Sequence, residues 1–116
     1  MTTAAADQLT WQKRAVRVLA DLLDLQARDI LPVLSWYVGD AGAVLTGRSY
    51  AVPSTRRRDA ITAWADALEI ELGERPATPG MVTVRGSAIQ ETRHGDCLIV
   101  LTADVFGADG EDIAGE

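Results

Sequence analysis

The sequence is short of the side chains that most metal centres and nucleophilic active sites use. Its 116 residues include one cysteine, Cys97, one histidine, His94, and no asparagine. One cysteine cannot close a disulfide within the chain, which excludes a disulfide scaffold, and a zinc site of cysteine and histidine needs about four ligands. We expect Cys97, which begins a predicted apolar strand, to be a small buried residue, and His94, in the predicted hairpin turn before it, to be solvated. The sequence therefore predicts no metal, no cofactor and no catalytic residue.

The chain also lacks a long apolar run. No stretch reaches the ~18 consecutive apolar residues that a membrane-spanning helix needs. The apolar stretch near the N-terminus is interrupted by Lys13, Arg14, Arg17 and Asp21, which is not the pattern of a signal peptide. These two absences predict a cytoplasmic protein without a membrane partner.

Positive charge is in short supply as well. The chain has 11 basic residues against 17 acidic ones, for a formal net charge of −6. Phosphate contact needs clustered lysine and arginine, so this balance argues against a broad nucleic-acid-binding surface. Five of the acidic residues lie from Asp104 onward, where no basic residue occurs. The rest of the chain is therefore nearly neutral, which leaves room for a local basic patch.

Apolar periodicity predicts the elements of the first half. Residues 7 to about 27 carry apolar side chains at spacings of three and four, which predicts an amphipathic helix. Residues 31–38 and 43–52 form apolar runs on either side of a turn at 39–42, so we expect a hairpin with Gly47 as a candidate bulge.

The second half repeats this order. It reads as a helix from 55 to about 72, stopped by Gly73, then a loop at 74–80 and a hairpin made of 81–92 and 97–106. The fold class is therefore α+β, in the order αββαββ, which is a pseudo-repeat of one helix-and-hairpin unit. The simplest structure that buries the apolar stripes is a four-stranded antiparallel sheet with the two helices packed on one face.

The domain organisation follows from the same pattern. We expect one α+β domain over residues 1–106. The last residues, 107–116, are acidic and carry no apolar periodicity, so we expect a flexible C-terminal tail.

The strands are more apolar than a sheet with one covered face requires. Near-continuous apolar strands indicate that both sheet faces are buried, and two helices on one face leave the other uncovered. We expect the second face to be buried against another copy of the chain, which would make a homodimer. The candidate interface residues are Trp36, Tyr37, Leu98, Val100 and Phe106. The alternatives are one helix on each face, or a modest apolar patch that stays exposed.

Three consecutive arginines open the second helix. Arg56, Arg57 and Arg58 are candidate anion-binding residues, because guanidinium groups and free N–H groups meet at a helix N-terminus. The structural alternative is that these arginines pair with acidic residues late in the other helix. An anion- or nucleic-acid-binding module would also use Arg48, Arg85 and Arg93, and it predicts that all six cluster on one face.

One part of the chain resembles known proteins. The segment from Arg57 to Leu68, followed by the hairpin Val82 to Phe106, resembles small uncharacterised proteins of actinobacteria, their phages and mobile elements. The likeness covers about half the chain and implies no particular activity. The element order also resembles a circularly permuted ferredoxin-like arrangement, a fold that serves many functions.

These observations favour a protein that acts by contact with other proteins. We expect a small, non-enzymatic regulatory or accessory protein, a homodimer that also binds an unidentified protein. The alternative is an anion- or nucleic-acid-binding module that uses the arginine cluster of the second helix.

Overall fold

The computed structural model describes residues 2–40 and 42–106, so the predicted tail, 107–116, lies outside the described residues. Within them the chain forms two helices, α1 (Thr2–Asp29) and α2 (Thr55–Leu68). It also forms five strands, which are β1 (Ser35–Val38), β2 (Val44–Arg48), β3 (Gly73–Thr78), β4 (Met81–Thr92) and β5 (Gly95–Phe106). The predicted α+β class is confirmed.

The strands make one mixed sheet in the order β1-β2-β5-β4-β3. Neighbours are antiparallel except β2 and β5, which run parallel. The predicted four-stranded antiparallel sheet is therefore wrong in strand number and in one pairing. The parallel pair arises because the chain leaves β2, crosses through α2 and adds β3 and β4 before β5 returns beside β2.

The additional strand, β3, was expected to be a loop. All six of its residues are exposed, and it pairs with β4 alone at the edge of the sheet. Pro76 has no N–H to donate, which an edge strand tolerates. The element order is thus αββαβββ, and the predicted repeat of two equal units is wrong.

Both helices end at a residue in the left-handed conformation. Ile30 follows α1 with φ 54°, and the Leu31 N–H donates to the Gln26 carbonyl over 3.0 Å. Glu69 follows α2 with φ 57°. The second helix therefore stops four residues before the predicted end at 72, and Gly73 begins a strand instead.

The core lies between the sheet and both helices, which pack on the same sheet face as predicted. Alternate residues of β5 point into this layer and are buried, from Cys97 to Val105. The helices contribute buried apolar residues, which include Ala15, Val18, Leu22, Ile61 and Trp64.

Gly47 of β2 leaves room for the ring of Trp36, a β1 residue, to contact the ring of Trp64 in α2. Its pairing with Trp36 is regular, so the predicted bulge is wrong. A Cβ at Gly47 would lie 2.8 Å from the Trp36 ring, which packs edge-on against Trp64 with ring centroids 5.3 Å apart. The Trp64 indole N–H donates to the Pro32 carbonyl over 2.7 Å, which joins α2 to the segment before β1.

Candidate interaction surface

Both helices pack against one face of the sheet, the face that carries Leu101 and Ala103 of β5. The other face carries exposed residues such as Ile89, together with the buried Val100 and Thr102. We call it the open face. Because side chains alternate along a strand, the β5 residues on this face are the even-numbered ones, between those that point into the core. They include Leu98, Val100 and Phe106, which were predicted as interface residues, and Tyr37 of β1 shares the face. The register of β1 places Trp36 on the covered face instead.

Cross-strand pairing arranges much of the open face in four parallel rows. The acidic row is Asp96 and Glu91. The apolar row is Val44, Leu98 and Ile89. The middle row is Tyr37, Thr46, Val100 and Ser87. The basic row is Arg48, Thr102 and Arg85. Over these four rows the open face changes along the strands from acidic, through apolar, to basic. Beyond the basic row, the face continues with a row of Asp104, Thr83 and Arg75 and a row of Phe106 and Met81.

The most exposed apolar side chain of the face is Ile89, at 67%. Tyr37 is 49% exposed, whereas Val100, in the middle of the sheet, is 5% exposed. An isoleucine that is two-thirds exposed beside the half-buried Leu98 is unfavourable in water. The apolar row is thus the part of the face that gains most from a partner.

Polar contacts hold the side chains of and beside the basic row in place. Arg48 forms an ion pair with Asp104, whose other carboxylate oxygen accepts a hydrogen bond from the Thr83 hydroxyl over 2.9 Å. The Arg48 guanidinium also lies 5.4 Å from the centre of the Tyr50 ring. The Tyr50 and Tyr37 hydroxyls share a hydrogen bond of 3.1 Å, which together with partial burial raises the pKa of Tyr37. These side chains are therefore held in place before any partner arrives.

The three arginines of α2 do not converge on one site. Arg57 donates to the backbone carbonyls of Ala51, over 2.8 Å, and of Asp104, over 3.0 Å. Arg58 forms an ion pair with Glu74 of β3. Arg56 is exposed and forms no ion pair within the described residues. The partners of Arg57 and Arg58 thus lie on the sheet and its connections, not on the other helix as the structural alternative predicted.

The wider set of six arginines is spread over three places. Arg48 and Arg85 lie on the open face, and Arg56 to Arg58 begin α2. Arg93 lies in the β4–β5 turn and donates two hydrogen bonds to Asp21 of α1. No single basic face forms from the six.

The β4–β5 turn docks on α1 through a small charged cluster. Asp21 contacts the Arg93 guanidinium at 2.8 Å and His94 Nε2 at 3.1 Å. The hydrogen bond from Arg93 is the main cause that lowers the pKa of Asp21. His94 has a side chain 21% exposed, so it is less solvated than expected.

Cys97 lies on the covered face, where it is 1% exposed, as expected. Burial raises the pKa of its thiol, which disfavours the reactive thiolate. Among the described residues, no three cysteine, histidine or carboxylate side chains are grouped so that they could hold a metal ion. Neither helix, over those same residues, is both long and apolar enough to cross a bilayer.

The rows contain residues of β4 that were not among the predicted interface residues. Ile89, Glu91 and Arg85 occupy alternate positions of β4, so their side chains lie on one face. The signal was present in the predicted strand 81–92 as the alternation Arg85, Ser87, Ile89, Glu91. Its meaning depends on the register with β5, which the sequence alone does not provide.

Comparison with family models, with curated proteins and with solved structures gave no match to this chain. The resemblance to small actinobacterial and phage proteins therefore stays a prediction.

Proposed function

We propose that this chain is a non-enzymatic protein–protein interaction protein that works as a homodimer, with the open face as the dimer interface. The observation that carries the proposal is the order of the four rows. An apolar row that includes the exposed Ile89 lies between an acidic row and a basic row on one sheet face. A dimeric regulatory or accessory protein is the role that fits such a surface.

The row order is complementary to itself. A twofold axis that runs between the apolar and middle rows reverses the strand direction of the second copy. Each acidic row then faces the partner's basic row, and each apolar row faces the partner's middle row. Along β4 this places Arg85 opposite the partner's Glu91 and Ser87 opposite the partner's Ile89. Two sheets stacked this way, about 10 Å apart, form an aligned sandwich.

Such an interface is isologous, so each favourable contact occurs twice. Opposite charges at its two ends set the register of the copies and disfavour a parallel arrangement, in which acidic rows would face each other. The centre would bury Ile89 and Leu98, which contribute most of the apolar area. The anion-binding alternative has less support, because Arg57 and Arg58 already have partners within the chain.

The proposal predicts that Ile89→Lys weakens self-association. Burial of an isoleucine side chain contributes about 1.5–3 kcal/mol, and each 1.4 kcal/mol is about tenfold in Kd. We therefore expect the substitution to raise the dissociation constant of this contact at least about tenfold. The measurement is molar mass by light scattering over a range of tens of micromolar.

The matched control is Val52→Lys. Val52 is 76% exposed and lies between β2 and α2, beyond the basic end of the rows. The proposal expects this variant to keep the wild-type mass while Ile89→Lys gives a lower one. The proposal would be contradicted if the wild-type protein had the mass of a single chain at these concentrations. It would also be contradicted if Val52→Lys and Ile89→Lys had equal masses.

A further inference from the structure

The solvent side of α1 carries a regular apolar seam. Starting at Ala6, its positions follow each other at spacings of three and four over the whole helix, and they are Ala6, Leu9, Lys13, Val16, Ala20, Leu23, Ala27 and Ile30. All eight are exposed, and the large members Leu9, Val16 and Leu23 are about half exposed, at 53%, 53% and 45%. We call this set the α1 seam. A three-four spacing is the heptad pattern of helices that pair with other helices.

The α1 seam lies on the side of the helix opposite the core. Each residue turns the helix by about 100°, so Val16, Ala20 and Leu23 point away from Ala15, Val18 and Leu22, which are buried against the sheet. Ala15, Val18 and Leu22 are part of the core, whereas Val16, Ala20 and Leu23 are not. The apolar residues of the seam are therefore available to a partner outside the protomer.

We infer that α1 pairs antiparallel with α1 of a second copy through this seam. Large and small residues alternate along the seam except at Lys13. Leu9, Leu23 and Ile30 each follow an alanine, whereas Val16 follows Lys13. In an antiparallel pair that overlaps from Lys13 to Ile30, a large residue of one helix meets an alanine of the other, and Ile30 meets Lys13. The alanines then let the two backbones approach closely and fill the contact without voids.

Charge selects the register of the two helices. Arg17 and Asp24 flank the seam on the same side, about one turn before and one turn after Ala20. When Leu23 lies against the partner's Ala20, Val16 lies against the partner's Ala27. In that register Arg17 lies beside the partner's Asp24, and the symmetric pair forms at the other end. Opposite charges on these flanking positions set partner choice and orientation in paired helices.

Ile30 fits the same register. It is 88% exposed and follows α1 in the left-handed conformation, which is strained for a β-branched residue. The pairing places Ile30 against the aliphatic stem of the partner's Lys13, which would cover a side chain that nothing in the protomer covers.

This contact is separate from the proposed sheet dimer. The α1 seam and the open face lie on opposite sides of the molecule, because α1 packs on the covered face of the sheet. Two isologous contacts on opposite sides of one protomer join copies into a chain that alternates them. The wild-type mass is therefore expected to rise beyond a dimer as concentration increases.

Two substitutions separate the contacts. Leu23→Lys places a charge in the seam at an exposed position where lysine is a good helix former, and Ile89→Lys does the same on the open face. By light scattering, the mass of Leu23→Lys alone and of Ile89→Lys alone is expected not to exceed that of a dimer. The double variant is expected to have the mass of one chain, and Val52→Lys is expected to match wild type. A single-chain mass for Ile89→Lys alone, or a Leu23→Lys mass equal to that of Val52→Lys, would overturn the inference. Failure of the proposed sheet dimer gives a different result, a single-chain mass for Leu23→Lys alone.

Crosslinking tests the orientation of the helices. With Ala20→Cys the two thiols lie near the twofold axis, within reach of a short bismaleimide, so a covalent dimer is expected. With Leu9→Cys the two thiols are about 38 Å apart along an antiparallel pair, at about 1.5 Å per residue, so no dimer is expected. A covalent dimer at Leu9→Cys would indicate parallel helices and overturn the inference, as would no crosslink at Ala20→Cys. Cys97 is buried and does not compete for the reagent.

Discussion

Gly47 of β2 leaves the space that the Trp36 ring of β1 needs to reach Trp64 in the core. Trp36 lies over its Cα, and the Trp36 ring packs edge-on against Trp64 in the core. Leu34 also lies within 3.0 Å of the position a Cβ would take. The space that a side chain at residue 47 would take is therefore occupied by Trp36 and Leu34. The core packs in this way only with glycine at this position.

We predict that Gly47→Ala lowers the free energy of unfolding by about 1–3 kcal/mol, because overpacking forces the two rings or the strand to move. The measurement is urea denaturation followed by tryptophan fluorescence. The control is Gly73→Ala, where the nearest atom to a new Cβ is a carbonyl oxygen 4.0 Å away. Equal stability of the two variants would show that Trp36 does not pack as described.

At the scale of elements, α1 is joined to the β4–β5 turn by charge as well as by apolar contact. Asp21 accepts hydrogen bonds from Arg93, and it also contacts His94. The Arg14 guanidinium donates to the Asp96 carbonyl at the same turn, over 3.3 Å. The polar groups of one helix thus fix the end of the longest hairpin.

The Asp21 contacts make stability depend on pH. Arg93 holds the pKa of Asp21 below its ordinary value of about 4 in the folded state. A lowered folded pKa means that this contribution is present above about pH 4 and is lost as the pH falls through the lower folded value. We predict that Asp21→Asn is less stable than wild type at pH 6 and that the difference shrinks toward pH 2, measured by denaturation at each pH.

The control for this pH profile is Asp7→Asn, an exposed acid on the same helix that forms no ion pair within the described residues. It is expected to follow the wild-type profile. A difference between Asp21→Asn and wild type that is constant from pH 6 to pH 2 would contradict the role assigned to the Arg93 contact.

The elements that the sequence predicted well are those with an apolar period. Cys97 to Val105 alternates between core and open face as expected, and Val18 and Leu22 lie on the core stripe of α1. The strand β3 has no such period, because it is exposed on both faces at a sheet edge. The end of α2 was placed too late because Glu69, not a glycine, takes the left-handed conformation. The parallel pairing of β2 with β5 depends on tertiary packing, which local pattern does not encode.

At the scale of the whole molecule, the protomer has a covered face, an open face and an outward helix seam. Leu98, Val100 and Phe106 were placed together on one sheet face by alternation alone, and the structure puts them on the open face. The charge order across that face was not predictable, since it depends on which residues of β4 and β5 stand side by side. Alternation shows only that one of Trp36 and Tyr37 faces away from the helices, and the register of β1 shows that this residue is Tyr37.

The central claim, that two copies pair through the open face in a charge-ordered register, is tested by charge reversal. The experiment uses chains that also carry Leu23→Lys, so that the open face is the contact under test. We predict that Arg85→Glu alone and Glu91→Arg alone associate weakly, because each homodimer would bring like charges together. An equimolar mixture restores both opposite-charge pairs, so native mass spectrometry is expected to show a heterodimer of one chain of each kind. A mixture with no more dimer than either variant alone would contradict the claim.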